Sequence, residues 1–237
     1  LRTLFDRYAP WSIAVKSQHA YDRSLRWQKR TDVEAEQALS ACLKQGDAVA
    51  PELRDCLGDW AMARVAQLAA EHNLPIKLHT GYHAGWATMP LQDIWPGHLC
   101  ELLKTFPDTR FVLMHAGYPF GEDLIAIAKH YPNVWIDLCW AWAINPRFTQ
   151  QFLRHCLRAV PLNKLFGFGG DTFWPTMSLA FSRQARHWFT QTLEQELADG
   201  DLTEIQGMQI ATALLHDNAM ACFDVSRRIQ SMSQTTA

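Results

Sequence analysis

The sequence predicts an α/β fold in which strand–helix units repeat around a parallel sheet. From Leu74 onward, short apolar runs alternate with longer stretches of helical period. Those stretches end close to a proline that signals a stop, at Pro107, Pro132 and Pro161. Taken in order, residues 11–17 (WSIAVKS) read as the first strand, and residues 31–45 and 51–72 as two helices that follow it. Four strands then come at residues 75–80 (PIKLHT), 110–115 (RFVLMH), 133–138 (NVWIDL) and 164–168 (KLFGF). Helices at 91–106, 122–131 and 146–160 separate them. The tail is helical over 177–198 and 202–215, with a final helix starting at Asp217, whose carboxylate suits a cap.

That makes five strands in 237 residues. A closed (β/α)8 barrel needs eight strands and typically about 250 residues. Two architectures remain: a barrel whose N-terminal strands are absent from this chain, or an open doubly wound sheet that needs no closure. No linker, low-complexity tract or repeat interrupts the chain, so residues 1–237 read as one domain.

Composition narrows the function. With 22 basic and 24 acidic side chains the formal charge is −2, and no basic run offers a footprint for a phosphate backbone. Nucleic acid is therefore not an expected partner. The longest apolar run, residues 138–144, is far short of the roughly 20 residues that span a membrane. Six cysteines stand apart without a C-x-x-C pair, and no leader is visible, which together favour reduced thiols and a cytoplasmic setting. The even cysteine count leaves pairing formally open.

Side chains alternate along a strand, so Lys77 shares a face with His79, Leu113 with His115, Trp135 with Asp137 and Gly169 with Asp171. Four consecutive units thus place His79, His115, Asp137 and Asp171 at the C-terminal ends of their strands, where α/β barrels and open α/β sheets build active sites. A lone histidine at a strand end is most often a hydrogen-bonded core residue. Two histidines and two aspartates at equivalent positions form a ligand set suited to zinc or a similar divalent metal. Ten tryptophans are many; Trp135, Trp140, Trp142 and Trp174 fall near the last two strand ends, as an aromatic wall or as core. The Gly167–Phe168–Gly169–Gly170 run lacks G-x-G-x-x-G spacing and reads as close backbone approach beside Asp171.

The segments 75–82 (PIKLHTGY), 111–119 (FVLMHAGYP), 131–138 (YPNVWIDL) and 166–175 (FGFGGDTFWP) resemble the second half of the amidohydrolase superfamily. The nearest branch is the amidohydrolase-2 group of TIM-barrel metal-dependent hydrolases. The resemblance covers residues 11–225, including LHDNA at 215–219 in the final helix. It implies a (β/α)8 TIM barrel that enters this chain at its fourth strand. It implies that His79 and Asp171 bind metal and that Asp171 is also the general base. His115 would bind a second metal, orient water, or polarise the scissile carbonyl. Asp137 would orient a ligand or a tryptophan nitrogen. Lys16 would contact a charged substrate, sit as a buried amine, or be carboxylated to bridge metals. Arg23 would clamp a carboxylate or be a solvated arginine at a helix start. Lys16, Arg23, Tyr82 and Trp174 form the expected substrate-facing set.

One departure stands out, because no H-x-H, the pair that supplies two of the family's metal ligands, occurs in the chain. His79 and Asp171 alone would give two protein ligands where a catalytic zinc takes three. Weak metal binding is then expected, and unpaired sheet edges imply that the chain aggregates, associates with another copy or is the ordered remainder of a longer one. The implied activity is a metal-dependent hydrolase acting through activated water on a small carbonyl or carboxylate-bearing molecule. A nonoxidative decarboxylase of the same branch, or a non-catalytic barrel remnant that binds a ligand or partner, are the rivals.

Overall fold

The protein is described by a computed structural model that covers residues 1–85 and 88–235. Five short strands form one parallel sheet in chain order: β1 (Val15–Ser17), β2 (Ile76–Leu78), β3 (Phe111–Leu113), β4 (Val134–Asp137) and β5 (Leu165–Phe166). The sheet is that of an incomplete (β/α)8 barrel, open between β1 and β5.

The register explains which residues the fold brings together. Lys16, Lys77, Val112 and Trp135 lie side by side in one row, and Ser17, Leu78, Leu113 and Ile136 in the next. Adjacent rows face opposite sides of the sheet. Ile76, Leu78, Phe111, Leu113, Val134 and Ile136 are fully buried in the main core against the surrounding helices. Val112 and Phe166 instead join Trp135, Cys222 and Phe223 in a second apolar cluster.

The helices are α1 (Arg2–Tyr8), α2 (Asp32–Gln45), α3 (Pro51–Glu71), α4 (Cys100–Thr105), α5 (Gly121–His130), α6 (Ala141–Ile144), α7 (Pro146–Ala159), α8 (Pro175–Ala198), α9 (Glu204–Thr212), α10 (Asn218–Cys222) and α11 (Val225–Thr235). Thr31 and Glu34 close a capping box that starts α2, and Pro51 and Pro146 occupy first-turn positions where no N–H is required. The helix expected over 91–106 begins only at Cys100, after a 3-10 turn at Pro96–Leu99. Pro96 forces Trp95 into an extended conformation, which breaks the helical pattern there. Asp217 does not cap a helix: Ala213–Asp217 is a π-helical turn that runs directly into α10, and the Asp217 carboxylate faces His216 at 2.8 Å.

The tail covers part of the expected open edge. Gly167 N–H, just past β5, donates to the Leu214 carbonyl at 2.8 Å, and the Asn218 amide donates to the carbonyls of Leu162 and Leu165, both at 2.8 Å. Phe223 then packs on Phe166 with ring centroids 5.3 Å apart and lies under the Lys77 ammonium at 5.7 Å.

Candidate functional site

The loops after β2 and β3 are locked to each other. Thr80 Oγ1 donates to the Met114 carbonyl at 2.6 Å, and Tyr82 N–H donates to the Tyr118 carbonyl at 2.7 Å. A Cβ on Gly81 would meet the Tyr118 carbonyl oxygen at 2.4 Å, so only glycine permits this approach. His115 and Ala116 hold φ of 64° and 52°, in the left-handed region that non-glycine residues rarely adopt. Asp171, at φ 41°, is held there too. Three unusual backbone conformations thus aim His115, Asp171 and their neighbours at one point, a pattern common where function stores strain.

The hydrogen bonds fix where the protons lie. His115 Nδ1 faces the Cys139 carbonyl at 2.9 Å, and His79 Nε2 faces the Tyr82 carbonyl at 3.1 Å. A carbonyl only accepts, so both of those nitrogens carry protons. What remains is His79 Nδ1 and His115 Nε2, 2.9 Å apart, each presenting a lone pair. Asp171 Oδ2 lies 3.5 Å from His115 Nε2. Three acceptors therefore converge, all within 4.8 Å of one another. Two neutral imidazoles and a carboxylate are a donor set that fits a divalent cation such as zinc, leaving a position open for water or substrate.

This geometry bears on two expectations. His115 joins His79 and Asp171, so the cluster offers three protein donors and not two. With its Nδ1 proton facing the Cys139 carbonyl, His115 in this tautomer has none on Nε2 to offer a substrate carbonyl.

Electrostatics supports the neutral imidazoles. Burial, followed by the neighbouring His115 and His83, pushes His79 down to about 3, and burial also lowers His115. For Asp171, burial works upward, but the Lys16 ammonium, with His115 and His79, outweighs it and holds the carboxyl below the ordinary range. Burial likewise lowers His19 to about 4. An unfolded chain protonates His79 and His19 near pH 6.5, while the folded one resists until pH 3 to 4. The unfolded state therefore binds more protons in that window. Stability of the metal-free protein is full above about pH 6.5 and falls as pH drops toward 4, by up to about 1.4 kcal/mol per pH unit for each histidine. Urea unfolding at pH 7.5, 6 and 5 measures the slope, and His19→Gln is expected to reduce it; a flat profile would contradict the assignment.

A cleft of about 680 Å³ opens beside the cluster, lined by Lys16, Gln18, Tyr21, Trp140, Asp171, Phe173, Trp174 and Phe181 among others. Lys16 Nζ makes a close ion pair with Asp171 Oδ1. Trp174 and Phe173 are exposed on the rim. Trp142 is core, its indole N–H donating to the Gly167 carbonyl at 2.9 Å, and Trp135 belongs to the second apolar cluster. Tyr82 sits next to Trp140, with ring centroids 6.2 Å apart. Asp137 orients no tryptophan: it accepts from Lys77 Nζ at 2.7 Å and from Cys139 N–H at 2.8 Å. It thereby fixes the residue whose carbonyl sets the His115 tautomer. Gly169 packs on Cys139, where a Cβ would come within 2.8 Å of the sulfur, as expected for close backbone approach.

Arg23 is neither a clamp in this cleft nor a solvated side chain. It donates to Asp59 at 2.6 Å and to the carbonyls of Asp55 and Arg26, and Arg30 completes the knot from the other side of Asp59 at 3.1 Å. This knot lines a separate opening of about 680 Å³ with Trp95 and His98, away from His79, His115 and Asp171. Tyr21, His83 and Cys139 escaped the sequence reading. Buried His83 stacks on Tyr21 at 4.2 Å beside His79, and its only sequence signal is its place four residues after His79. The Cys139 contribution is a backbone carbonyl, which no side-chain motif reveals.

Residues 28–225 match the Amidohydrolase family, in its amidohydrolase-2 form. The chain belongs to the amidohydrolase family. It is also 28% identical over 229 residues to the fluG protein of Emericella nidulans, covering 92% of this chain and 26% of that protein. This amidohydrolase chain therefore spans about a quarter of the length of that curated relative. Its fold is similar to that of a protein from Lactobacillus casei described as a metal-dependent hydrolase (TM-score 0.77, 18% identity, covering 96% of this chain and 60% of that one). It is also similar to that of glucuronate isomerase from Caulobacter crescentus (TM-score 0.72, 19% identity, covering 85% and 45%). At these identities the likeness speaks for the fold alone. Among the described residues no helix is long and apolar enough to cross a membrane.

Proposed function

We propose that this amidohydrolase chain forms the larger part of the site of a zinc-dependent hydrolase acting on a small carbonyl or carboxylate-bearing substrate. The observation that carries the reading is the convergence of three acceptors, His79 Nδ1, His115 Nε2 and Asp171 Oδ2, with no proton left to share between them. A divalent cation held by these three would supply Lewis acidity and water of lowered pKa. Asp171, kept anionic at neutral pH, accepts the proton of the attacking water. Asp137 and the Cys139 carbonyl keep His115 in the tautomer that presents Nε2. Trp140, Phe173 and Trp174 offer apolar surface to a planar substrate and help to exclude bulk water. The six cysteines, scattered without a C-x-x-C pair, are in keeping with a cytoplasmic setting.

Lys16, at the same cleft, favours a second reading within the family, a nonoxidative decarboxylase of a carboxylate-bearing substrate. Assays of the zinc-loaded and chelator-treated chain against amides, lactones and aryl carboxylates separate the two. Metal-dependent amide or ring opening is expected; carbon dioxide release would assign the decarboxylase, and turnover indifferent to the chelator would remove the metal from the reaction.

A further inference from the structure

The ionic partner of Asp171 has a second possible use. Lys16 lies on β1, the edge strand, in the row that continues through Lys77. Its side chain is 37% exposed and lines the cleft with Tyr21, Trp140, Phe173 and Trp174. Its ammonium contacts Asp171 Oδ1, while Oδ2 of the same carboxylate faces His115. One carboxylate thus pairs with the lysine through one oxygen and turns the other toward the acceptor cluster, where a cation would also need it. A divalent cation at the cluster would meet a partner already neutralised and a positive charge one residue away. Such a cation would weaken the hold of Asp171 on Lys16, because the carboxylate cannot fully compensate both charges. Among the described residues that line the cleft, the other acidic side chain is the exposed Asp22.

We propose that Lys16 is an exchangeable counter-ion: it neutralises Asp171 in the metal-free protein, and a divalent cation displaces it into the cleft, where it takes the carboxylate of the substrate. Metal occupancy and anion binding are thereby coupled through one side chain. The inference rests on the zinc reading above and deepens it by naming the substrate's charge.

The test uses the full chain, with zinc and benzoate as probes. Zinc affinity is measured by competition with a chromogenic chelator for the wild type, Lys16→Met and Lys16→Arg, with circular dichroism confirming that each is folded. Removing a competing charge is expected to tighten zinc binding by about 10-fold in Lys16→Met, whereas Lys16→Arg, which keeps the charge, stays near the wild type. Benzoate binding is then followed by calorimetry with and without zinc. Zinc loading is expected to strengthen it in the wild type, and that gain is expected to shrink by about 10-fold in Lys16→Met. Weaker zinc binding in Lys16→Met would overturn the exchange and make Lys16 part of the ligand set. An equal benzoate gain in wild type and Lys16→Met would overturn it as well, by assigning the anion to the metal alone. Absence of zinc binding in all three proteins would remove the metal reading and the exchange together.

Discussion

Replacing His79 or His115 by alanine is expected to lower zinc affinity by roughly 100-fold, since one ligand in a set of this kind carries about 3 kcal/mol of the binding free energy. The two substitutions act alike because the two imidazoles are equivalent in kind: each has one nitrogen committed to a carbonyl and the other turned toward the shared point. His187→Ala, on the exposed face of α8, is the control and is expected to bind zinc as the wild type does. Chelator competition reads the affinity, and inductively coupled plasma analysis reads the stoichiometry. Unchanged affinity in His115→Ala would return that residue to the water-orienting role that the family resemblance also allows. The proton accounting would then be wrong at His115 Nδ1, where it rests on a single hydrogen bond to Cys139.

Much of this site was legible in the sequence for a simple reason. A period of two along each strand, together with a glycine two residues after each histidine, places His79 and His115 at matching ends of adjacent strands. The sheet then brings them together without any long-range information beyond strand order. All five strands fall where the apolar runs predict them, although each is shorter than its run; after β2 and β3 this is because His79 and His115 already belong to the turns. The contributions that were not legible depend on tertiary context. Arg23 lies in a segment that resembles a substrate-contacting one, but Asp59, thirty-six residues away on α3, captures its guanidinium. Gly58, next to that aspartate, leaves the room: a Cβ there would meet Arg23 Nη1 at 2.7 Å. The helix break at Pro96 was visible in the sequence as a proline, yet the apolar periodicity across it outweighed that signal. The tail shows the same limit. Nothing in residues 213–223 announces that Leu214, Asn218 and Phe223 cover the last strand and its inner face, because that role depends on where the preceding helices deliver them.

Asp171→Asn is expected to reduce metal-dependent turnover by about 10²- to 10⁴-fold, the usual contribution of a positioned general base. The substitution keeps the shape of the side chain and an oxygen for Lys16, but the amide has no lone pair basic enough to take a proton from water. It also removes a negative charge from the cluster, so zinc affinity falls as well, and the measurement must be made with zinc in excess and its content verified. Under those conditions the loss should appear in kcat, with KM little changed, because the substrate's contacts in the aromatic cleft are intact. The acid limb of the pH–rate profile should disappear with it, since that limb reports protonation of the Asp171 carboxylate. Asp171→Glu is the companion variant: it keeps the base and the charge but displaces the oxygen by one methylene at a residue held at φ 41°, so a partial loss is expected. Full turnover in zinc-replete Asp171→Asn would leave the carboxylate as a ligand only and would require another proton acceptor in the cleft.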